Sequence, residues 1–190
     1  LSTLADVGYL TMDKQASDAR ADRRRIGWVR LTEAGQVALD GHVAALREIA
    51  PHIMITAAYG QILSQRILDI PQRGCINVHG SLLPRYRGPA PIQWAIIEGE
   101  RTTGVTTMLT DRGVDTGDIL LQRSLDIRPE ETAGELYARM AELGAQVLSE
   151  TLRLWIAGAI TPTPQDPAQA THFPMLVKED GRIDWTRTAE

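Results

Sequence analysis

The run from Ile76 to Gly88, I-N-V-H-G-S-L-L-P-R-Y-R-G, limits what this chain can fold into more than any other stretch. The apolar residues ending at Cys75-Ile76 read as a buried strand. Successive side chains on a strand point to opposite faces, so Asn77 and His79 project together while Val78 points back into the packing. At Gly80 the strand breaks into a loop closed by Pro84 and Gly88. An amide and an imidazole thus leave a strand end side by side, with a loop of backbone donors beyond them. Open α/β sheets build their sites there, in the crevice outside the carboxyl ends of the strands. This stretch is the expected chemical centre.

The neighbouring segments fit such a sheet. Ile53 to Ala58 is a nearly continuous apolar run, which predicts a parallel strand covered on both faces. Tyr59-Gly60 turns into a short amphipathic helix, Gln61 to Leu68, ended by Pro71. Pro89 and Pro91 open another helix through Ile97, where first-turn prolines are tolerated. The segment from Gly104 to Thr110 alternates like a strand and leads into D-R-G-V-D-T-G-D, Asp111 to Asp118; a further strand covers Ile119 to Ile127. Thr132 and Glu135 form a capping-box start for a long helix ending near Gly158. Strand, helix, strand, helix, strand is the pattern of a layered α/β sheet. Beyond Ile160 the chain is rich in proline and polar residues and reads as extended linker. Asp115 lies between two glycines and faces the crevice. A carboxylate at a turn is more often a cap or turn former, so its case depends on its joining Asn77 and His79.

At 190 residues the chain holds one medium domain, or a small one plus a fragment. A formal net charge of -4 gives no global electrostatic case for nucleic acid. The lone Cys75 excludes an internal disulfide framework and reads as an inert buried strand residue. No apolar run approaches the roughly 20 residues that span a bilayer, and no signal-peptide pattern opens the chain. The expectation is a cytoplasmic protein with no metal and no membrane partner. The chain begins at Leu1, inside what reads as a helix, which points to a processed, trimmed or fused product.

That first helix, Leu1 to Val7, stops at Gly8. Tyr9 to Met12 and Ile26 to Leu31 are strand-like and enclose a polar tip bearing Arg20, Arg23, Arg24 and Arg25. Thr32 then caps a helix. The residues Gly8-Tyr9-Leu10, Asp22-Arg23-Arg24 and Leu31-Thr32-Glu33-Ala34-Gly35 resemble the wing and following helix of MarR-type winged-helix regulators. In that family the wing arginines contact DNA, while a preceding recognition helix enters the major groove. Only the tail of such a helix could be present, and Asp18 and Asp22 interleave the arginines. A solvated hairpin tip is therefore the favoured reading, with DNA contact kept as the alternative.

Three further runs resemble another family. Asn77-Val78-His79-Gly80-Ser81-Leu82-Leu83-Pro84, Arg85-Tyr86-Arg87-Gly88 and Val114-Asp115-Thr116-Gly117-Asp118 look like the N10-formyltetrahydrofolate-dependent formyltransferases. The run R-Y-R-G-P-A-P-I-Q-W and the tail P-T-P-Q-D-P with K-E-D-G-R-I-D-W are most similar to the members that formylate methionyl-tRNA. This match spans about residues 49 to 190. It implies 10-formyltetrahydrofolate as co-substrate, initiator methionyl-tRNA as partner, Asn77, His79 and Asp115 as catalytic groups, and Ser81, Leu82, Leu83 and Pro84 as the folate-binding loop. Tyr59 to Leu63 resembles a second wall of that pocket, although a strand-to-helix turn explains it nearly as well.

The residues suit the implied chemistry. Passing a formyl group to an amine goes through a tetrahedral centre whose oxygen becomes negative, and donors aimed at that oxygen supply about 3 kcal/mol each. Asn77 offers an amide N–H. His79 offers a charge-assisted bond when a neighbouring carboxylate, Asp115, keeps it cationic. Asp115 can also organise a water for proton transfer from the amine.

The expected fold is therefore α/β: a partial Rossmann-like formyltransferase sheet with flanking helices, preceded by a winged-helix hairpin and helix remnant. Residues 1–49 form that remnant, 50–160 the catalytic region lacking its first strands, and 161–190 the linker toward a C-terminal domain. With the first strands missing, the strand at Ile53 to Ala58 is expected to leave an uncovered edge. An inactive fusion is the remaining alternative.

Overall fold

A computed structural model describes residues 7–14, 27–183 and 185–186. They form two compact units, residues 1–51 and 52–190.

In the first unit, β1 (Leu10–Lys14) and β2 (Gly27–Leu31) make an antiparallel hairpin with Leu10 opposite Leu31. The helix α1 (Glu33–Ile49) follows at once. Thr32 caps it from both sides, its Oγ1 accepting from Gly35 N at 3.0 Å and donating to Gly8 O at 2.7 Å. Gly35 is required there, because a Cβ on it would stand 2.0 Å from the Tyr9 carbonyl oxygen. The hairpin and its helix appear where the sequence places them. The helix expected over Leu1 to Val7, apart from Val7, and the tip bearing Arg20, Arg23, Arg24 and Arg25 lie outside the described residues.

The second unit is a four-stranded sheet in the order β3 (Met54–Ala57), β4 (Cys75–His79), β5 (Thr102–Leu109), β6 (Ile119–Asp126). β3 and β4 are parallel, while β5 pairs antiparallel with both β4 and β6. The mixed α/β class holds, with a single parallel pair in this sheet. The strand expected to be covered on both faces is not, since Ile55 is 46% exposed; among the described residues β3 pairs with β4 alone, leaving the open edge that was expected. The helix expected from Gln61 is reduced to α2 (Gln65–Leu68), which begins after the extended backbone of Ser64. Ala58 and Gly60, at φ of 48° and 69°, hold the turn after β3 in the left-handed region, and the extended Ser64 sets the helical start.

Two helices complete the unit, α3 (Pro91–Ile97) and α4 (Ala133–Ile156). Thr132 and Glu135 make the full reciprocal capping box at the start of α4. Leu136, Met140, Gly144, Val147 and Thr151 form its buried stripe, at the three- and four-residue spacing of one helix face. Against it pack Ile92 and Val105, with Val78, Leu121 and Leu125 around them. Gly144 lets the sheet come close: a Cβ there would meet the Val78 Cγ1 at 3.4 Å. Thr107 and Thr151 are fully buried and satisfy one another through a 2.7 Å hydroxyl contact.

Gly104 couples this packing to the loop after β4. A Cβ on it would stand 2.2 Å from Arg123 O and 2.6 Å from the Leu82 Cδ2. Backbone cannot yield there without opening the β5–β6 ladder. Gly104→Ala is expected to cost about 1–3 kcal/mol by overpacking, read as a lowered urea midpoint with unchanged m-value.

Candidate active site

β4 carries Asn77 and His79 out on one face. Asn77 stands beside Thr56 of β3 and Met108 of β5, and His79 beside Thr106 of β5. The Thr56 hydroxyl donates to Asn77 Oδ1 at 2.9 Å. That bond fixes the amide and leaves its nitrogen to donate elsewhere; among the described residues none accepts from it.

His79 is buried, 6% exposed, with its Nε2 2.8 Å from the carbonyl oxygen of Tyr86. A carbonyl only accepts, so Nε2 bears the proton in this contact. The other ring nitrogen, Nδ1, lies 3.6 Å from Asp115 Oδ1. That separation is longer than a hydrogen bond and leaves both atoms able to address a third. Asp115 Oδ2 accepts from Gly88 N–H at 2.8 Å. The Asp115 backbone, at φ 54°, is left-handed, a conformation that Asp tolerates better than most residues. Its turn is shaped by Asp111, whose Oδ1 accepts from Gly113 N and from the Thr116 hydroxyl at 2.9 and 2.7 Å.

Two of the three expected groups therefore meet across separate segments, and the third shares the strand face two residues from His79. The loop between them differs from expectation. Four of its backbone donors are taken up, three of them by segments outside the loop. Leu83 N–H goes to Thr106 Oγ1, Arg85 N–H to Leu82 O, Tyr86 N–H to Thr171 Oγ1, and Arg87 N–H to Thr171 O. Ser81 is buried and donates to Arg85 O at 2.7 Å, while its carbonyl accepts from Thr106 Oγ1 at 2.6 Å. Gln122 holds Leu83 O at 2.8 Å. Ser81 to Pro84 is thus a self-bonded rim with Leu82 and Pro84 partly exposed. Tyr59 and Ile62, in the segment considered as a second wall, are exposed at 56% and 76%.

Residues 161–175, read as extended linker, are bonded along this rim and include a 3-10 turn at Pro167–Gln169. Thr163 bridges to Ile119, and His172 lies beside Arg87 in a parallel bridge. The Gln165 side chain joins Arg87 to the Asp115 turn. Phe173 stacks on Tyr86 at 4.8 Å and packs on Trp94 at 4.9 Å. Neither Gln165 nor Phe173 was expected at the site. The available signal was the chain's single Phe standing in an otherwise polar, proline-rich run.

Among the described residues no group of three or more His, Cys, Asp or Glu side chains could hold a metal ion, and no helix is long and apolar enough to cross a membrane.

A strand-end amide and imidazole thus stand near a carboxylate from the turn between β5 and β6, and comparison with known proteins gives the family. The formyl transferase family profile matches residues 9–152. The chain belongs to that family. The match begins inside the segment that resembles a winged-helix wing. A methionyl-tRNA formyltransferase from Ruminiclostridium cellulolyticum is 50% identical over 162 residues, 85% of this chain and 52% of that protein. Another from Anaeromyxobacter dehalogenans is 58% identical over 146 residues, 77% of this chain and 47% of that protein. The chain spans about half the length of these curated relatives. Among solved structures, HypX from Aquifex aeolicus in complex with tetrahydrofolic acid superposes with a TM-score of 0.68 at 25% identity, covering 80% of this chain and 26% of that one.

The rim carries a titratable phenol. Burial, and then the 2.7 Å bond its hydroxyl donates to Glu100 Oε1, push Tyr86 up to about 12 from its ordinary 10.0. Arg85 also pairs with that carboxylate. Because the folded state holds the phenol proton more tightly, this contribution to stability is complete below pH 10.0 and is lost as pH rises through about 12. Ultraviolet titration of the wild type minus Tyr86→Phe is expected to show this late phenol. Glu100→Gln is expected to move it toward lower pH, since the charged acceptor is gone.

Proposed function

We propose that this chain carries the catalytic centre for moving a formyl group from 10-formyltetrahydrofolate to the amine of methionyl-tRNA. The observation that carries the reading is the meeting of His79 Nδ1 and Asp115 Oδ1 at 3.6 Å beside an Asn77 amide oriented by Thr56. The methionyl-tRNA formyltransferases it resembles supply the acceptor, and a HypX structure bound to tetrahydrofolic acid supports the folate class. A tRNA acceptor places the reaction in the cytoplasm.

In this mechanism the amine nitrogen adds to the formyl carbon, and the carbonyl oxygen becomes an oxyanion. Asn77 donates its amide N–H to that oxygen, and His79, as imidazolium, donates from Nδ1. Asp115 takes the proton lost by the amine, directly or through a water, and passes it to N10 as the oxyanion collapses to the new formamide carbonyl and the carbon–N10 bond breaks. Ser81, Leu82, Leu83 and Pro84 form the rim against which the folate lies. Leu82 and Pro84, both partly exposed, offer apolar contact.

Tetrahydrofolate is expected to raise the melting temperature, by the equivalent of about 2.7 kcal/mol when ligand stands at 100 times Kd. Asn77→Ala should lower kcat by about 10²–10³, and His79→Ala should abolish transfer. Folded protein that neither binds folate nor transfers formyl to methionyl-tRNA would leave the shared ancestry and remove the activity.

For residues 9–49 a second reading is a winged-helix remnant, supported by the β1–β2 hairpin leading directly into a Thr32-capped helix. A duplex-DNA mobility shift at low salt that disappears at moderate salt is its expected signature. Absence of a shift at low salt ends it.

A further inference from the structure

We propose that Gln165 is a positioning residue for this transfer: its amide ties the loop after β4 to the turn that carries Asp115. The proposal rests on the formyl-transfer reading above for its consequence, and on the following geometry for its substance.

Gln165 Oε1 accepts from Arg87 Nε at 3.0 Å and from Arg87 Nη2 at 2.7 Å. Gln165 Nε2 donates to Asp115 O at 2.9 Å and to Gly117 O at 2.7 Å, with the Met108 sulfur 3.9 Å away. Both acceptor sites and both donors of the amide are therefore in use. The orientation is determined, because turning the amide over would set its NH2 against the guanidinium and its oxygen against two carbonyls. No other side chain of this reach offers paired donors and paired acceptors at once. Glutamate only accepts, lysine only donates, and asparagine is a methylene short.

The partners explain why the contact matters. Arg87 is 6% exposed, and among the described residues no carboxylate lies within ion-pair distance of it. A buried cation without compensation is costly, and the Gln165 oxygen is its hydrogen-bond acceptor. Asp115 is held at both ends, by Gln165 at its carbonyl and by Gly88 N–H at its carboxylate. Gly88 follows Arg87 directly. Gln165, Arg87, Gly88 and Asp115 thus close a ring of contacts, and the Asp115 carboxylate faces His79 from within it. The strap carrying Gln165 also lies against Gly88, where a Cβ would meet Phe173 O at 2.8 Å. Without Gln165 the left-handed turn at Asp115 loses its anchor, and the carboxylate loses its fixed distance from the imidazole.

The test compares Gln165→Leu, which removes both halves of the clamp, with Gln165→Glu, which keeps an acceptor for Arg87 and removes both donors. In the full chain each is expected to lower kcat, by up to about 10²-fold for a misplacement near 1 Å, with KM for the folate donor unchanged. In an Asp115→Asn background, adding Gln165→Leu should cost little more, since residues acting as a unit are not additive. A readout independent of activity is the Gly88 amide, which bonds to Asp115 Oδ2. By NMR exchange it should lose protection in both variants, while the Tyr86 and Arg87 amides, held by Thr171, keep theirs. If the Gly88 amide stays protected in a folded variant, or if the rate losses multiply in the Asp115→Asn background, the proposal is overturned. Absence of transfer by the wild-type chain would instead refute the functional reading, and the Gly88 amide would still decide the clamp.

Discussion

Strand β4 is hydrogen-bonded along both edges, parallel to β3 and antiparallel to β5. A strand held on both sides cannot slip by one residue without turning every side chain to the opposite face. Here such a slip would carry Asn77 and His79 toward α4, into the space filled by Val78 beside Gly144. Burying an amide and an imidazole there without partners costs a few kcal/mol each. The α4 core therefore does more than stabilise the unit. By accepting only Val78, it dictates which way the polar pair must point.

Facing the right way does not bring a carboxylate to meet them. Asp115 comes from the connection between β5 and β6, whose course depends on the same β5 that pairs with β4. Gly117 makes the approach possible, since a Cβ there would stand 1.7 Å from Leu109 O. The loop after β4 reaches the turn from the other side through Gly88. Once Thr106, Gln122 and Thr171 have taken up the loop's polar groups, that loop is a rigid part rather than a flexible cover.

Much of this was legible in the sequence. The alternation about Val78 gave Asn77 and His79 a common face, the Thr132–Glu135 spacing marked the α4 start, and the glycines about Asp115 marked a tight turn. What failed did so for identifiable reasons. Apolar composition at Ile53 to Ala58 suggested cover on both faces, yet Ile55 is 46% exposed. Helical spacing over Gln61 to Leu68 was cut short by the extended backbone of Ser64. The loop's donors looked free because their acceptors, on Thr106 and Thr171, lie 23 and 85 residues from the groups they satisfy. Gln165 was hidden in the same way. A proline-rich polar run has the composition of a linker whether or not one of its amides makes four hydrogen bonds to a loop and a turn far away in the chain.

The three polar groups are not held with equal firmness. His79 is buried and bonded to the loop backbone, and Asp115 is gripped through both its carbonyl and its carboxylate. Asn77 is oriented by Thr56, which belongs to the edge strand, and edge strands with exposed faces are where sheets open first. The Thr56–Asn77 bond thus links a strand paired on both sides to an edge strand. Any neighbour that pairs with the free side of β3 stiffens the aim of the Asn77 N–H without touching the site. A β3 that frays loosens that aim while leaving the His79–Asp115 pair intact. The Asn77 amide and the His79–Asp115 pair are thus under separate structural control, one governed by the sheet edge and the other by the segment that carries Gln165.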